Sequence, residues 1–198
     1  MINMGFGNTE DEDVPHDDVD ISLNIYDFFN VSAKSADETM GTVSISTSGK
    51  VESGTSITAT ATPNAGYSFV NWTNADNQEV SKESSYKFDL ADETALTANF
   101  KINKYPVVFI NDGVEVQKGD LDFASAITAP ENPIKAGYTF LGWYNGETKF
   151  VEGAIVPVDG VTYTAKWQIN QYTITFDTKG GNEIAPITLD YNTEITKP

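Results

Sequence analysis

The side chains able to do chemistry are few and unevenly placed. The single histidine, His16, stands in an acidic run, and cysteine is absent. One imidazole without thiolates or a second histidine cannot build a Ser-His-Asp relay or a zinc centre. Acids are plentiful, with 29 Asp+Glu, and two carboxylates held at a fixed separation suffice to hydrolyse a glycoside. Here they fall mostly in turns and in the N-terminal run, where nothing would hold that separation, so no catalytic residue is assigned. The stretch Asp11–Asp20 could gather calcium through its carboxylate oxygens, but it lacks the regular spacing and distal glutamate that preorganise a site. It reads as a solvated charge run. Gly180-Gly181 reads as a hairpin turn, not as a strand-to-helix cradle for phosphate. No cofactor and no metal is expected. The aromatics remain: Tyr67, Trp143 and Tyr144 are candidates for an exposed platform that stacks sugar rings, against the simpler reading that such rings form the core.

The elements that must position these residues are strands. The chain of 198 residues carries 12 Lys+Arg against its acids, a formal net charge of −17. Such a field repels nucleic acid and anionic lipid surfaces, so neither is expected as a partner. No apolar run is long enough to cross a bilayer, and no direct membrane insertion is expected. The opening Met1–Gly5 has neither the basic nor the apolar region of a secretion signal and reads as a processed or artificial boundary. A Cys-free, acidic chain rich in Thr, Ser and Asn is nonetheless compatible with export.

Two phrases recur, Ala65-Gly66-Tyr67-Ser68-Phe69-Val70-Asn71-Trp72 and Ala136-Gly137-Tyr138-Thr139-Phe140-Leu141-Gly142-Trp143, 71 positions apart. Leu96-Thr97-Ala98-Asn99-Phe100-Lys101-Ile102-Asn103 likewise matches Tyr163-Thr164-Ala165-Lys166-Trp167-Gln168-Ile169-Asn170. A fixed period of this size marks an array of small modules. Four regions follow: an acidic, extended lead-in over 1–25; a first module over 26–101; a second over 102–168; and an incomplete third over 169–198, which has the first half of the repeat only. The third region cannot close a core as written, so it either continues in the natural protein or caps the second.

Within the first module, period-two alternation places strands near Thr42–Thr47, Thr55–Thr62, Tyr67–Thr73, Tyr86–Leu90 and Thr94–Lys101, preceded by the alternating run Ile21–Ala33. In the second, Val107–Ile110 turns at Asn111-Asp112-Gly113, where two residues can adopt positive φ. Phe123 and Ile127 lie four apart between Asp120 and Ala136, which predicts one short helix limited by Pro130 and Pro133. Strict alternation would send Phe140 and Trp143 to opposite faces of their strand. Either that strand is covered on both sides, or a bulge at Gly142 swings Trp143 round. Asn71 holds the Gly142 position in the first module, and Asn tolerates left-handed backbone, which favours the bulge. Gly66 and Gly137 are expected to adopt backbone that a Cβ would penalise.

The stretches Ala136–Tyr144 and Thr162–Trp167 resemble the Listeria–Bacteroides repeat, the internalin B-type B-repeat. Gly41-Thr42-Val43, Ala61–Trp72 and Leu96–Phe100 resemble its divergent relative, and the third region resembles the first half of the standard form. The resemblance implies a mainly β chain with minor α, made of small β-grasp-like (ubiquitin-like) modules in an elongated tandem array. It also implies an exported protein at the bacterial cell surface whose repeats serve as non-catalytic stalk, spacer or adhesion-type interaction modules. Its partners would be a protein or glycan at that surface, beside neighbouring domains of one longer polypeptide. A carbohydrate-binding module using exposed aromatics is the alternative.

Overall fold

A computed structural model of the chain describes residues 27–196. The acidic run, His16 and the residues Ile21, Leu23 and Ile25 of the predicted first alternation lie outside it. Among the described residues the regular structure is entirely β.

The first module comprises β1 (Phe28–Ser35), β2 (Gly41–Ile45), β3 (Gly49–Glu52), β4 (Ser56–Pro63), β5 (Tyr67–Thr73), β6 (Glu79–Ser81), β7 (Ser85–Asp89) and β8 (Thr94–Ile102). They form two sheets, one in the order β3-β1-β8-β5-β6 and a smaller one in the order β2-β4-β7. Alternation explains the layers. In β4, Ile57, Ala59 and Ala61 are buried while Thr58, Thr60 and Thr62 face outward. Small alanines there leave room for Trp72, which is fully buried against Leu96 and Ala98 from the larger sheet. Val31, Val51, Ile57 and Leu90 extend this core toward the other end.

The second module comprises β9 (Lys104–Asn111), β10 (Val114–Asp122), β11 (Tyr138–Asn145), β12 (Thr148–Lys149) and β13 (Val161–Ile169), in the order β10-β9-β13-β11-β12. The turn at Asn111-Asp112-Gly113 has the expected positive φ at Asp112 (47°) and Gly113 (82°). Phe109, Ile127, Trp143 and Val156 fill the core with Tyr163, and the Phe109 and Tyr163 rings stack at 5.2 Å.

The short helix predicted between Asp120 and Ala136 does not form. β10 runs on to Asp122, Ala124 turns at φ 58°, and the chain then lies as an irregular strap. With β10 running to Asp122, Ala124 left-handed and the residue before Pro130 disfavoured in helical backbone, only Ser125–Thr128 remain, too few for a stable helix. The strap is held instead by its neighbour: Ala124 N–H donates to Val156 O, Val156 N–H to Ser125 O and Ile127 N–H to Ala154 O, at 2.7–2.9 Å. This pins Ile127 and Val156 beneath the sheet, where a helix would have placed its apolar face.

Both modules contain the bulge. The β5–β8 register slips between Phe69 and Asn71, and the β11–β13 register between Phe140 and Gly142. The extra residue, Val70 or Leu141, turns outward and is about 40% exposed (41% and 38%), so each Trp returns to the same face as the Phe three positions before it. Gly142 sits at φ 131°. Asn71 is not among the positive-φ residues, so its role is not left-handed backbone. Its amide braces three strands instead, donating to Glu79 Oε2 on β6 at 2.8 Å and accepting from Asn99 Nδ2 on β8 at 2.9 Å.

The remaining strands, β14 (Gln171–Ile174) and β15 (Ile187–Asp190), form a two-stranded antiparallel hairpin stem. Its base pairing, Gln171↔Asp190, repeats Lys104↔Asp122 at the base of β9–β10.

Candidate functional site at the joints between repeats

The three aromatic candidates do not form one surface. Trp143 is buried (3% exposed), with its ring 5.2 Å from Phe109 and 5.4 Å from Phe140. Tyr144, its neighbour in the strand, is half-buried on the opposite face under the Lys166 ammonium, 4.6 Å from the ring centroid. Lys166 is held there by Glu147 at 2.9 Å. Tyr67 belongs to the other module and packs edge-on against Phe123 at 5.8 Å. That last contact crosses from one repeat to the next.

The joint is built by six residues, Tyr67 and five others. Gly66 immediately precedes β5 at φ 86°, and a Cβ there would collide with the Phe123 ring. The glycine thus serves twice: it accepts the left-handed turn after Pro63-Asn64-Ala65, and it leaves a notch that the Phe123 ring occupies. Phe123 sits just past β10, so the ring comes from the following repeat. Between them stands Asn103, the single residue separating β8 from β9. Its N–H donates to Gly66 O at 2.9 Å, and its carbonyl accepts from Phe123 N–H at 2.8 Å. Its side-chain carbonyl accepts from Ser68 Oγ at 2.6 Å. One asparagine therefore fastens the end of one module to the start of the next by both backbone groups and its amide. Tyr105 completes the aromatic cluster, 6.3 Å from Phe123.

The second joint repeats every part with different residues. A Cβ on Gly137 (φ 75°) would lie 2.0 Å from Tyr191 Cδ1. Asn170 N–H donates to Gly137 O at 2.8 Å, Asn170 O accepts from Tyr191 N–H at 2.8 Å, and Thr139 Oγ1 donates to Asn170 Oδ1 at 2.6 Å. Tyr138 and Tyr172 flank the Tyr191 ring at 6.4 and 6.2 Å. Ser becomes Thr and Phe becomes Tyr, but hydroxyl, ring, amide and notch are kept. One of the two backbone bonds also occurs at the start of the first module, where Ser53 N–H donates to Asp27 O at 2.8 Å. Ser53 brings no ring, and it faces no glycine notch among the described residues.

The repeated glycine was visible in the sequence, and so was the shortness of the joints. The rings were missed. The spacing of Phe123 and Ile127 points to a helix instead, and nothing local marks Tyr191. The available signal is Leu121-Asp122-Phe123 recurring as Leu189-Asp190-Tyr191, each aromatic followed by a left-handed residue, Ala124 at 58° or Asn192 at 62°.

The two module tryptophans differ in one respect. Trp72 Nε1 donates to the Glu83 carbonyl at 3.1 Å, whereas the Trp143 indole N–H is buried without a partner among the described residues. Titration is perturbed at few places. Asp37 is held below the ordinary carboxylate value by the hydroxyl and N–H of Thr39, and Glu79 chiefly by the Asn71 amide. Burial raises the Tyr163 phenol.

Comparison with known proteins places these repeats. Residues 31–104 match the divergent InlB B-repeat domain, and residues 105–166 and 172–198 match the Listeria–Bacteroides repeat domain. Two proteins of Evansella cellulosilytica, whose names provisionally place them in a membrane, are 33% identical over 141 residues and 34% identical over 140. Each match takes in 67% of this chain, and 20% and 16% of those proteins. Internalin H of Listeria monocytogenes is 32% identical over 117 residues, 56% of this chain and 21% of its own length. The chain thus spans about a fifth of the curated relatives it matches. From Val31 onward it belongs to the Listeria–Bacteroides (InlB B-type) repeat family, with a divergent repeat leading.

Proposed function

We propose that this chain is a non-catalytic spacer and interaction segment of a bacterial cell-surface protein, in which docked β-grasp-like modules set the distance between other parts of a longer polypeptide. The observation that carries this reading is the duplicated joint. Two pairs of repeats are fastened by the same notch, ring and asparagine with non-identical residues. A linker serving only as a flexible tether has no need of such a device, since Gly/Ser-rich chain suffices. The one-residue spacing between β8 and β9, and between β13 and β14, leaves no slack for independent tumbling. In a tandem array, stability and stiffness come from each unit plus its contacts with its neighbours.

The β-grasp-like description is supported by strand order. Numbered within its module, the second sheet reads 2-1-5-3-4 with strands 1 and 5 parallel, and the larger sheet of the first module has the same arrangement. A surface location is supported by the names of the relatives. Adhesion, through a protein or glycan partner, is the interaction role most consistent with an acidic surface and a repeat context.

Small-angle scattering of the full chain tests the spacer reading. An elongated profile is expected, becoming broader in its distribution of distances in Phe123→Ala as the first joint loosens. A compact globular profile contradicts it. A glycan array with reproducible hits that survive Phe123→Ala would favour the carbohydrate-binding alternative.

A further inference from the structure

In each full module the first and last strands are neighbours, and they run parallel. β1 pairs with β8 from Val31↔Thr94 to Ser35↔Ala98, and β9 with β13 from Val107↔Val161 to Ile110↔Thr164. The chain therefore comes in at one end of this pair and goes out at the other. When repeats are strung in series, a pull along the polypeptide drags the two strands in opposite directions along their own axes. That is shear. Every hydrogen bond across the seam must yield together, and the side chains on it must slide out of register at once. The same seam pulled from one end is peeled, and its bonds then yield one at a time.

The seams also carry buried core residues. Val31, Leu96 and Ala98 lie on the first, and Val107, Phe109 and Tyr163 on the second, all of them buried. Sliding either strand by one residue would turn these side chains toward the wrong face, because side chains alternate along a strand. The seam thus resists small displacements as well as full separation.

We propose that each full module is a tension-bearing link, with the parallel seam as its mechanical lock. The proposal rests on the serial arrangement of the spacer reading and adds a load to it. Forced unfolding is governed by the unfolding rate, so direction of pull can matter where equilibrium stability is unchanged. The β14–β15 stem has no parallel partner among the described residues, so it contributes no third lock.

Single-molecule pulling on the full chain tests this by changing direction while keeping the protein the same. The chain has no cysteine, so introduced cysteines are unique attachment points. Lys104→Cys with Gln168→Cys loads β9 and β13 from opposite ends. Lys104→Cys with Val158→Cys loads the same two strands from the same end. All three positions are solvent-exposed. Both pairs confine the load to the second module, with an extension on the order of 200 Å at about 3.4 Å per residue released.

A rupture force several-fold higher for the first pair is expected at equal loading rate. Equal forces, or a higher force for the second pair, overturn the tension-bearing link. The outcome is independent of scattering: a compact profile with direction-dependent forces would remove the spacer while leaving the lock, and an elongated profile with equal forces would do the reverse.

Discussion

The two full modules share a sheet and differ in what covers it. In the first, three further strands form a second sheet, and alanines on β4 make space for Trp72. In the second, the cover is an irregular strap tied by backbone hydrogen bonds to residues 154–156, with Ile127 and Val156 as its pegs. Both tryptophans nonetheless reach the same depth behind the same bulge. The repeated phrase thus encodes the sheet, its bulge and its joint, while the covering layer can vary as long as it fills the space above the indole. Close packing sets that condition, since a gap forfeits contact energy whatever element leaves it.

The largest test of this equivalence is removal of the pegs. Trp72→Ala and Trp143→Ala should each destabilise their own module by about 3–5 kcal/mol. For units of this size that is comparable to total stability, so the altered module should unfold while its neighbour keeps its dispersed amide resonances. A mild loss at either site would mean that the two cores are not equivalent.

Next come the glycines. Gly54 and Gly66 have nearly the same φ, 82° and 86°, but Gly54 has open space where a Cβ would go and Gly66 has the Phe123 ring. Gly54→Ala should therefore cost only the strain of a left-handed alanine, about 1–2 kcal/mol. Gly66→Ala should cost that much and also undock the second module. In a Phe123→Ala background the additional penalty should vanish, which denaturation of the single and double variants will reveal as a coupling energy. Additive effects would show that ring and notch act separately.

A smaller difference separates the tryptophans themselves. Trp72→Phe removes a hydrogen bond to Glu83 O, whereas Trp143→Phe removes a donor that has no partner among the described residues. The first should be the more costly by about 1 kcal/mol in urea denaturation. A reversed order would mean that the Trp143 indole is paired in solution.

The smallest contrast is in pH. Asp37 and Glu79 in the first module have folded values below their ordinary ones, so the stability they add is full above the unfolded carboxylate value. It is lost as pH falls through their folded values. In the second module Tyr163 is raised by burial, so its contribution is full below the unfolded value near 10.0 and is lost as pH climbs through the folded one. Module-resolved NMR across both ranges should show the first module softening at the acid end and the second at the alkaline end.

Much of this was legible in the residues. Period-two alternation located β2, β4, β5, β7 and β8, and Asn111-Asp112-Gly113 marked its turn, because half-buried strands and positive-φ turns leave local signatures. The helix was misread because Phe123 and Ile127 are four apart for unrelated reasons: one ring reaches back to the preceding module, and the other side chain pegs the strap. Asn71 was misread because an αL-tolerant residue in a glycine's place can serve through its amide instead. The joint stayed hidden for a further reason. Its glycine, asparagine and ring are separated by tens of residues, and no local pattern says that a ring will fill a notch made by a missing Cβ.

Residual dipolar couplings measured on the two full modules within the intact chain test the central claim most directly. Modules held by Asn103 and by Phe123 seated over Gly66 must tumble together, so couplings from β1–β8 and from β9–β13 should fit one alignment tensor. Phe123→Ala should split it into two. Two tensors of unequal magnitude in the unaltered chain would contradict the account, because the joint would then be a hinge and the repeats beads on a string.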